Sequence, residues 1–245
     1  MKKNTTLLIA SLVAAFAAHV SYGLTTREIV AQSRSSVVLI VEENTATHVY
    51  WKGTGWFITE NRIVTNNHIV SNPDSFNRLY LINVETGQRY TLDHIAYNDG
   101  TTDVAVIVIN ESNSTHLNLS ELNPAAGMDV VVIGNPEGAH GKVTTGTIEE
   151  VYEYEGNKRT NFISLDAGIQ KGSSGSPVLD TNGYVLGMIW GGRDTGDGHG
   201  AAVNVKTLQL AQIDVVDYRL HFAITSAEPV DSESRDFVAI PQGNP

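Results

Sequence analysis

The sequence predicts an all-β fold, either a barrel or a sandwich, from its short apolar runs and the turn residues between them. Runs rich in β-branched residues recur along the chain, separated by Gly, Asn, Asp and Pro, which is the pattern of antiparallel strands. Helical periodicity is almost absent, so sheets rather than helices should form the core. Strands are predicted at residues 37–41, 55–59, 62–65, 79–84, 104–109, 129–134, 162–165, 184–190 and 201–205.

The stretches around these strands predict one helix, two turns, a linker and a tail. Thr25 and Glu28 have the spacing of a capping box, so a short helix is expected at 25–34. The sequences "ETGQ" and "DTNGY" are typical of hairpin turns. The polar stretch 110–127 predicts a linker that divides the strands into two groups, and the polar stretch 226–245 predicts a loose tail.

Composition excludes several classes of function. The 245-residue chain has a net charge of −11 and 41% hydrophobic residues, so it can build a sizeable core but is poorly suited to bind nucleic acid. It contains no cysteine, which excludes disulfides and thiolate metal sites. The histidines lack metal-ligand spacing and no cofactor motif is present, so neither metal nor cofactor is expected.

The N-terminus has the features of a secretory signal peptide. Lys2 and Lys3 precede an apolar stretch at 7–18, and small residues follow. Cleavage is expected after Gly23, giving a signal peptide at 1–23, with cleavage after Ala17 as the alternative. The apolar stretch is short for a membrane span, although a short N-terminal anchor remains the other interpretation. The protein is therefore expected to be exported, to the periplasm or the medium, with no stable membrane anchor after cleavage.

The stretch "GSSGSP", residues 172–177, could be a plain turn or could present a nucleophile. A serine hydroxyl needs an adjacent base, and the reaction needs donors where an oxyanion forms. Glycine would let this turn aim the backbone N–H groups of Gly172 and Ser174 at one point.

Two other polar residues supply the partners that such a serine needs. His68 lies at the end of an apolar strand, and Asp103 lies immediately before another. Each alone is more typical of a structural or turn residue. Together with Ser174 they provide a base, its orienting carboxylate and a nucleophile, in the order His68, Asp103, Ser174.

The motifs "TNNHIV", "DVAVIVI" and "GSSGSPV" resemble the three catalytic motifs of trypsin-like serine proteases. The longer stretches "GTGWFITENRIVTNNHIV" and "NFISLDAGIQKGSSGSPVLDTNGYVLGMIWGG" are similar to the protease domain of the bacterial HtrA/Deg type, while "GSPV" and "WGG" also resemble secreted glutamyl endopeptidases. The resemblance covers most of residues 29–210 in the expected order. It is far more specific than any one motif.

This resemblance implies two six-stranded antiparallel β-barrels of the chymotrypsin type, with the active site in the cleft between them. The protease domain would span 24–225, with the first barrel at about 35–110 and the second at about 125–210. Family members of this type use the serine as nucleophile, the histidine as general base and acid, and the aspartate to orient the histidine.

The same resemblance assigns the nucleophile to Ser174, the base to His68 and the orienting carboxylate to Asp103, with the Gly172 and Ser174 N–H groups as the oxyanion hole. Ser173 departs from the family, because digestive trypsins carry Asp there and HtrA-type proteases usually carry Asn. Because few residues follow the last predicted strand, the PDZ domain that HtrA-type proteases carry is not expected here. Family members commonly form trimers through N-terminal segments, so the expected state is a trimer or a monomer.

The substrate pocket is expected to be apolar. Where glutamyl endopeptidases use a Thr and a His to bind a carboxylate, this chain has Ile169 and Ile189. An apolar wall cannot compensate the desolvation of a charged side chain. Gly191 would leave room for an extended peptide to add as a strand.

The function expected from the resemblance is that of an exported serine endopeptidase acting on proteins or peptides with an apolar residue before the scissile bond (P1). A catalytically weak chaperone or peptide-binding module on the same fold is the alternative. A hydrolase of non-peptide acyl groups ranks last, because the Ser-Asp-His order of α/β-hydrolases is absent.

Overall fold

A computed structural model describes residues 23–71, 76–136, 141–152, 162–192 and 199–213. The predicted tail and all of the predicted signal peptide except Gly23 lie outside these ranges. No helix within them is long and apolar enough to cross a membrane.

The described residues form thirteen strands and two α-helices. The first half contains α1 (Thr26–Ser33), β1 (Val37–Asn44), β2 (Val49–Thr59), β3 (Arg62–Thr65), β4 (Arg78–Asn83), β5 (Arg89–Tyr90), β6 (Leu92–Asp99) and β7 (Val104–Ile109). The second half contains β8 (Asp129–Gly134), β9 (Lys142–Tyr152), β10 (Phe162–Asp166), β11 (Pro177–Leu179), β12 (Val185–Gly192), β13 (Gly200–Asn204) and α2 (Val205–Ile213).

The strands form two antiparallel sheets, which confirms the predicted all-β, two-barrel class. The second sheet is a closed six-stranded barrel in the order β10-β13-β12-β11-β8-β9. The first is a curled, unclosed sheet of seven strands, in the order β5-β4-β1-β2-β3-β7-β6, rather than the expected closed barrel of six. The additional strand is the two-residue β5, which pairs only with Leu81 and Ile82 at the edge.

Three apolar clusters hold the molecule together. One fills the inside of the first sheet and includes Phe57 and Ile107, and another fills the second barrel and includes Ile163 and Leu165. The third lies between the sheets and draws Trp56 from β2, Val131 from β8 and other side chains from both halves. Strand residues alternate between the two faces of a sheet. The same strands therefore place some side chains inside their own sheet and others in the contact between the two sheets.

The predicted helix is present, and its first turn has the predicted capping box. The Thr25 side chain accepts from the Glu28 N–H, and the Glu28 carboxylate accepts from the Thr25 N–H. Ile29 on this helix is 1% exposed and packs into the cluster between the sheets. The helix therefore anchors the start of the described chain.

Some elements have no counterpart in the sequence prediction. Strands β6 and β9 were not predicted, because most of their residues are only partly buried or exposed and their apolar pattern is weak. Helix α2 was not predicted either. The stretch 110–127 does connect the two sheets, and the predicted turns at 85–88 and 180–184 join β4 to β5 and β11 to β12.

Glu42 is a buried carboxyl group inside the first sheet. It follows Val38 and Ile40 at two-residue spacing on the face of β1 that points to the interior. The residue is 2% exposed, and its Oε1 has no hydrogen-bond partner among the described residues. Burial raises the pKa of Glu42 to about 8 from the ordinary value of 4.5, because an ionised carboxylate would be desolvated there.

Glu42→Gln should remove a pH-dependent loss of stability. Because its pKa is raised on folding, Glu42 makes its full contribution to the free energy of unfolding below pH 4.5. This contribution is lost as the pH rises to about 8. Between pH 4.5 and 8, the free energy of unfolding of the wild type should therefore fall by about 2–4 kcal/mol relative to that of Glu42→Gln. Urea denaturation at several pH values measures the difference. Glu121→Gln, which removes an exposed carboxylate, controls for net charge, and parallel wild-type and Glu42→Gln curves would contradict the burial argument.

Candidate active site

His68 lies in a single turn of 3-10 helix, Asn67–Ile69, immediately after β3. Ile69 is 1% exposed and packs inside the first sheet. This anchor leaves the neighbouring His68 side chain, which is 37% exposed, at the surface of the sheet.

Asp103 is presented by a tight turn just before β7. Its backbone has φ = 54°, in the left-handed region that Asp tolerates better than most residues. The Asp103 carbonyl accepts hydrogen bonds from the Asn66 side-chain amide and from the Asn67 N–H, both at 3.1 Å. These two donors hold the turn against the segment that carries His68.

The two side chains are joined twice. Asp103 Oδ2 lies 2.6 Å from His68 Nδ1, and Asp103 Oδ1 accepts the His68 backbone N–H at 2.8 Å. Because a carboxylate accepts, the neutral imidazole carries its hydrogen on Nδ1 and keeps a lone pair on Nε2. The aspartate thus fixes both the orientation and the tautomer of the ring.

Ser174 lies on a turn of the second barrel between β10 and β11, with Gly172 at φ = 88° and Gly175 at φ = 85°. Its carbonyl accepts the Thr54 N–H at 2.8 Å, which brings this turn against β2 of the first sheet. Its hydroxyl donates to the Trp190 carbonyl at 3.2 Å. Within the described ranges, no hydrogen bond joins Ser174 to His68.

The turn leaves two of its backbone donors available. The Ser173, Gly175 and Ser176 N–H groups donate to the carbonyls of Gln170, Ile189 and Ser173. No hydrogen bond to another described residue uses the N–H of Gly172 or of Ser174. Since Ser176 holds the Ser173 carbonyl, the Ser174 N–H, at the opposite side of that peptide, faces away from Ser176.

An open cleft of about 380 Å³ connects the two halves of the site. It is lined by Asn67, His68, Gly100, Asp103 and Trp190. The Trp190 indole is 47% exposed and packs edge-on against Phe162, with ring centroids 5.8 Å apart. Trp190 therefore lines the cleft beside His68 and also accepts the Ser174 hydroxyl with its carbonyl.

The predicted pocket residues lie on the second barrel. Ile169 and Ile189 are 7% and 0% exposed and belong to the cluster inside that barrel. Ile189 is fully enclosed in the barrel, while Ile169 lies beside Gly192. Around Gly191 a Cβ would meet no atom within 4 Å. The stretch 193–198 lies outside the described residues, and the pocket stays a prediction.

Three buried polar residues near the site were not identified from the sequence. Thr54, Asn66 and Asn135 are each 0% exposed. Thr54 hydrogen-bonds to the turn that carries Ser174, Asn66 to the turn that carries Asp103, and Asn135 to Thr54. The only signal was their position: Asn66 lies two residues before His68, and Thr54 lies between two glycines. The described residues contain no cluster of His, Cys, Asp and Glu able to hold a metal ion.

The fold and the site define a class of protein: a curled β-sheet that carries a His–Asp pair, packed against a closed β-barrel that carries a Gly-Ser turn. Residues 53–188 match the family described as the trypsin-like peptidase domain. This match covers more than half of the chain, so the chain belongs to that family. The predicted family is thereby confirmed.

Curated relatives include proteases of the HtrA/DegP type. The chain is 34% identical over 147 residues to a probable periplasmic serine endoprotease, DegP-like, of Bartonella henselae, covering 56% of this chain and 27% of that protein. It is 27% identical over 176 residues to the serine protease Rv3671c of Mycobacterium tuberculosis, covering 69% of this chain and 43% of that protein. The chain thus spans less than half the length of these relatives.

Solved structures show the same fold. The active form of the Rv3671c protease superposes with a TM-score of 0.69 at 23% identity, covering 79% of this chain and 86% of that one. The serine endoprotease from Yersinia pestis gives a TM-score of 0.68 at 23% identity, covering 80% and 68% of the two chains.

Gly175→Ala should unfold or strongly destabilise the protein. A Cβ at this position would overlap the Thr54 carbonyl oxygen, and φ = 85° is unfavourable for alanine. The left-handed conformation alone costs about 1–2 kcal/mol, and the overlap adds to it. Gly191→Ala is the matched control, with open space around its Cβ, and should change stability by less than about 0.5 kcal/mol. Equal melting temperatures for both variants would show that the contact with β2 is looser than described.

Proposed function

We propose that the protein is an exported serine endopeptidase that hydrolyses peptide bonds through an acyl-enzyme formed on Ser174. The observation that carries the proposal is the twofold contact between His68 and Asp103, at 2.6 and 2.8 Å, at the edge of the cleft that Trp190 shares with Ser174. A base with a fixed ring, a nearby serine and two uncommitted N–H donors are what acyl transfer requires.

Acylation begins when the Ser174 hydroxyl turns from the Trp190 carbonyl to His68 Nε2. His68 takes the hydroxyl proton while Oγ attacks the substrate carbonyl carbon. The carbonyl oxygen becomes an oxyanion and accepts hydrogen bonds from the Gly172 and Ser174 N–H groups. Asp103 stabilises the imidazolium that forms. Catalytic hydrogen bonds are often absent before substrate binds and form in the complex, so the present hydroxyl orientation is compatible with this step.

The intermediate collapses when His68 passes its proton to the leaving nitrogen. The C–N bond breaks, the amine product departs, and the acyl group remains on Ser174 Oγ. A water molecule then gives a proton to His68 and attacks the ester carbon. The second collapse returns the proton to Oγ and releases the carboxylic acid, so protons and bonds balance over the cycle.

An extended substrate would lie along β12. Gly191 and Gly192 carry no side chains that would cover the strand, and Trp190 offers an exposed aromatic face next to them. A peptide in this position could pair with the β12 backbone as an added strand. Ile169 and Ile189 would give the P1 site an apolar wall.

Export to the periplasm or the medium is supported by the signal-peptide pattern at the N-terminus and by several relatives that are named periplasmic endoproteases. The substrates would be proteins or peptides exposed there.

One observation favours the alternative of a weakly catalytic peptide-binding or chaperone module. The Ser174 hydroxyl is committed to the Trp190 carbonyl at 3.2 Å. If substrate did not shift it to His68, the same cleft would bind peptides without cleaving them.

Ser174→Ala should abolish proteolysis and labelling by a fluorophosphonate probe while the circular dichroism spectrum stays unchanged. Loss of the nucleophile in a triad lowers kcat about a million-fold. Ser173→Ala is the matched control, because the Ser173 hydroxyl makes only a 3.4 Å contact with the Gln170 N–H and should be dispensable. Labelling lost in Ser173→Ala but kept in Ser174→Ala would show that Ser173, not Ser174, is the nucleophile. An unlabelled wild type would favour the binding module.

Peptides that differ only at P1 should be cleaved faster when that residue is Val, Leu or Ala than when it is Glu, Lys or Arg. Even a neutral polar group buried without a partner costs about 1–3 kcal/mol, so the preference in kcat/KM should be at least about tenfold. Ile169→Ala should enlarge the pocket and shift the preference toward larger apolar residues. A wild-type preference for Glu or for Lys and Arg would refute the apolar pocket without affecting the triad.

A further inference from the structure

Thr54 lies in the middle of β2, where the first sheet meets the Ser174 turn. Because strand residues alternate between faces, Thr54 lies on the same face of β2 as Trp56, which packs against the other sheet. The side chain is 0% exposed. A hydroxyl buried between the two sheets needs hydrogen-bond partners, and these partners indicate what Thr54 does.

Thr54 binds the Ser174 turn at two points. Its N–H donates to the Ser174 carbonyl at 2.8 Å, and its Oγ1 donates to the Gly172 carbonyl at 3.0 Å. Its own carbonyl accepts the Thr65 hydroxyl at 2.8 Å, which ties β2 to β3 at this level. One residue of the first sheet therefore holds the carbonyls of both residues expected to form the oxyanion hole.

Asn135 determines where the Thr54 hydroxyl points. Its backbone N–H and its side-chain amide donate to Thr54 Oγ1 at 3.0 and 3.3 Å. A hydroxyl has one hydrogen and two lone pairs; both lone pairs are engaged, so the hydrogen goes to the Gly172 carbonyl. The same Asn135 amide also donates to Val38 O at 3.1 Å, and its Oδ1 accepts the Gly141 N–H at 3.0 Å. This fixes the amide orientation.

The Gly172–Ser173 peptide is thus held from both sides. Its carbonyl accepts from Thr54, and its N–H donates to the Gln170 carbonyl at 3.0 Å. Glycine at φ = 88° has low intrinsic barriers to other conformations, so the orientation of this peptide depends on those two bonds. If the peptide rotated, the Gly172 and Ser174 N–H groups on either side of it would no longer converge.

We infer that Thr54, directed by Asn135, is a positioning residue that holds the Gly172–Ser173 peptide so that the Gly172 and Ser174 N–H groups stabilise the oxyanion. The inference rests on the proposed function for its catalytic meaning. Thr54 touches no reacting atom and acts only through the turn.

Thr54→Val keeps the shape of the side chain and removes the hydroxyl. It should lower kcat for a peptide amide about 10- to 100-fold, which is less than the loss of an oxyanion donor outright, with KM changed by less than about threefold. Affinity for a peptide boronic acid, which places a tetrahedral oxygen in the same site, should fall by a similar factor. Rates are expressed per active site, titrated with the fluorophosphonate probe, so that misfolded protein does not contribute.

Two further variants separate positioning from stability. Thr54→Ser retains the hydroxyl and should recover most of the lost kcat. Ser120→Ala removes another hydroxyl that is 2% exposed and donates to Asp180 at 3.0 Å, but at the turn between β11 and β12. It should lower the melting temperature and leave kcat per active site at the wild-type level. Wild-type kcat in Thr54→Val, or equal losses in Thr54→Ser and Thr54→Val, would overturn the inference.

Amide NMR tests the positioning independently of activity. The Gly172, Ser173 and Ser174 amide signals should shift in Thr54→Val and return toward wild-type positions in Thr54→Ser. If the wild type were unlabelled and inactive, the proposed function would fail while shifted signals still supported the role of Thr54. Unchanged signals in Thr54→Val would refute that role even in an active protease.

Discussion

The contact between β2 and the Ser174 turn is the constraint on which the rest of the site depends. Thr54 donates its N–H to Ser174 O, and Gly175 lies so close to the Thr54 carbonyl that a Cβ would overlap it. The contact crosses from one sheet to the other, so it sets the distance between the half of the site carried by the first sheet and the half carried by the second. The apolar cluster around Trp56 keeps the sheets together but, being non-directional, cannot fix this register alone.

The first sheet holds its half of the site with its own residues, whereas the second sheet does so only in part. In the first, the buried Ile69 and the amide of Asn66 hold the two turns that pair His68 with Asp103. In the second, hydrogen bonds with Gln170 and Ile189 set the local shape of the Ser174 turn, while the Gly172–Ser173 peptide is also held by Thr54 of the first sheet. Directional hydrogen bonds between buried groups then join the halves, which is the kind of interaction that specifies one arrangement over its alternatives.

The sequence predicted the residues whose chemistry is visible in their type, and failed where geometry decides. His68, Asp103 and Ser174 stand out because their types and order suggest a base, a carboxylate and a nucleophile. Thr54 and Asn135 have common residue types, and only the folded chain brings them to hydrogen-bond distance across 81 residues. Strands such as β1 and β7, buried on nearly every residue, were recognisable. Most residues of β6 and β9 are only partly buried or exposed, so these strands carry little apolar signal. Capping is local, so the start of α1 could be predicted from Thr25 and Glu28 alone.

Because the site is divided between two sheets, the rate of the proposed reaction should depend strongly on the position of one sheet relative to the other. A slip of an ångström at the Thr54–Ser174 contact would leave every strand, both barrel interiors and the spectroscopic signature of the fold in place. It would nevertheless misalign His68 with Ser174, and misplacement by about 1 Å can cost a hundredfold in rate. Small ligands, crowding or mild heating could alter only the contact between the two sheets. Such a change would lower the turnover rate well before any measure of secondary structure detected it.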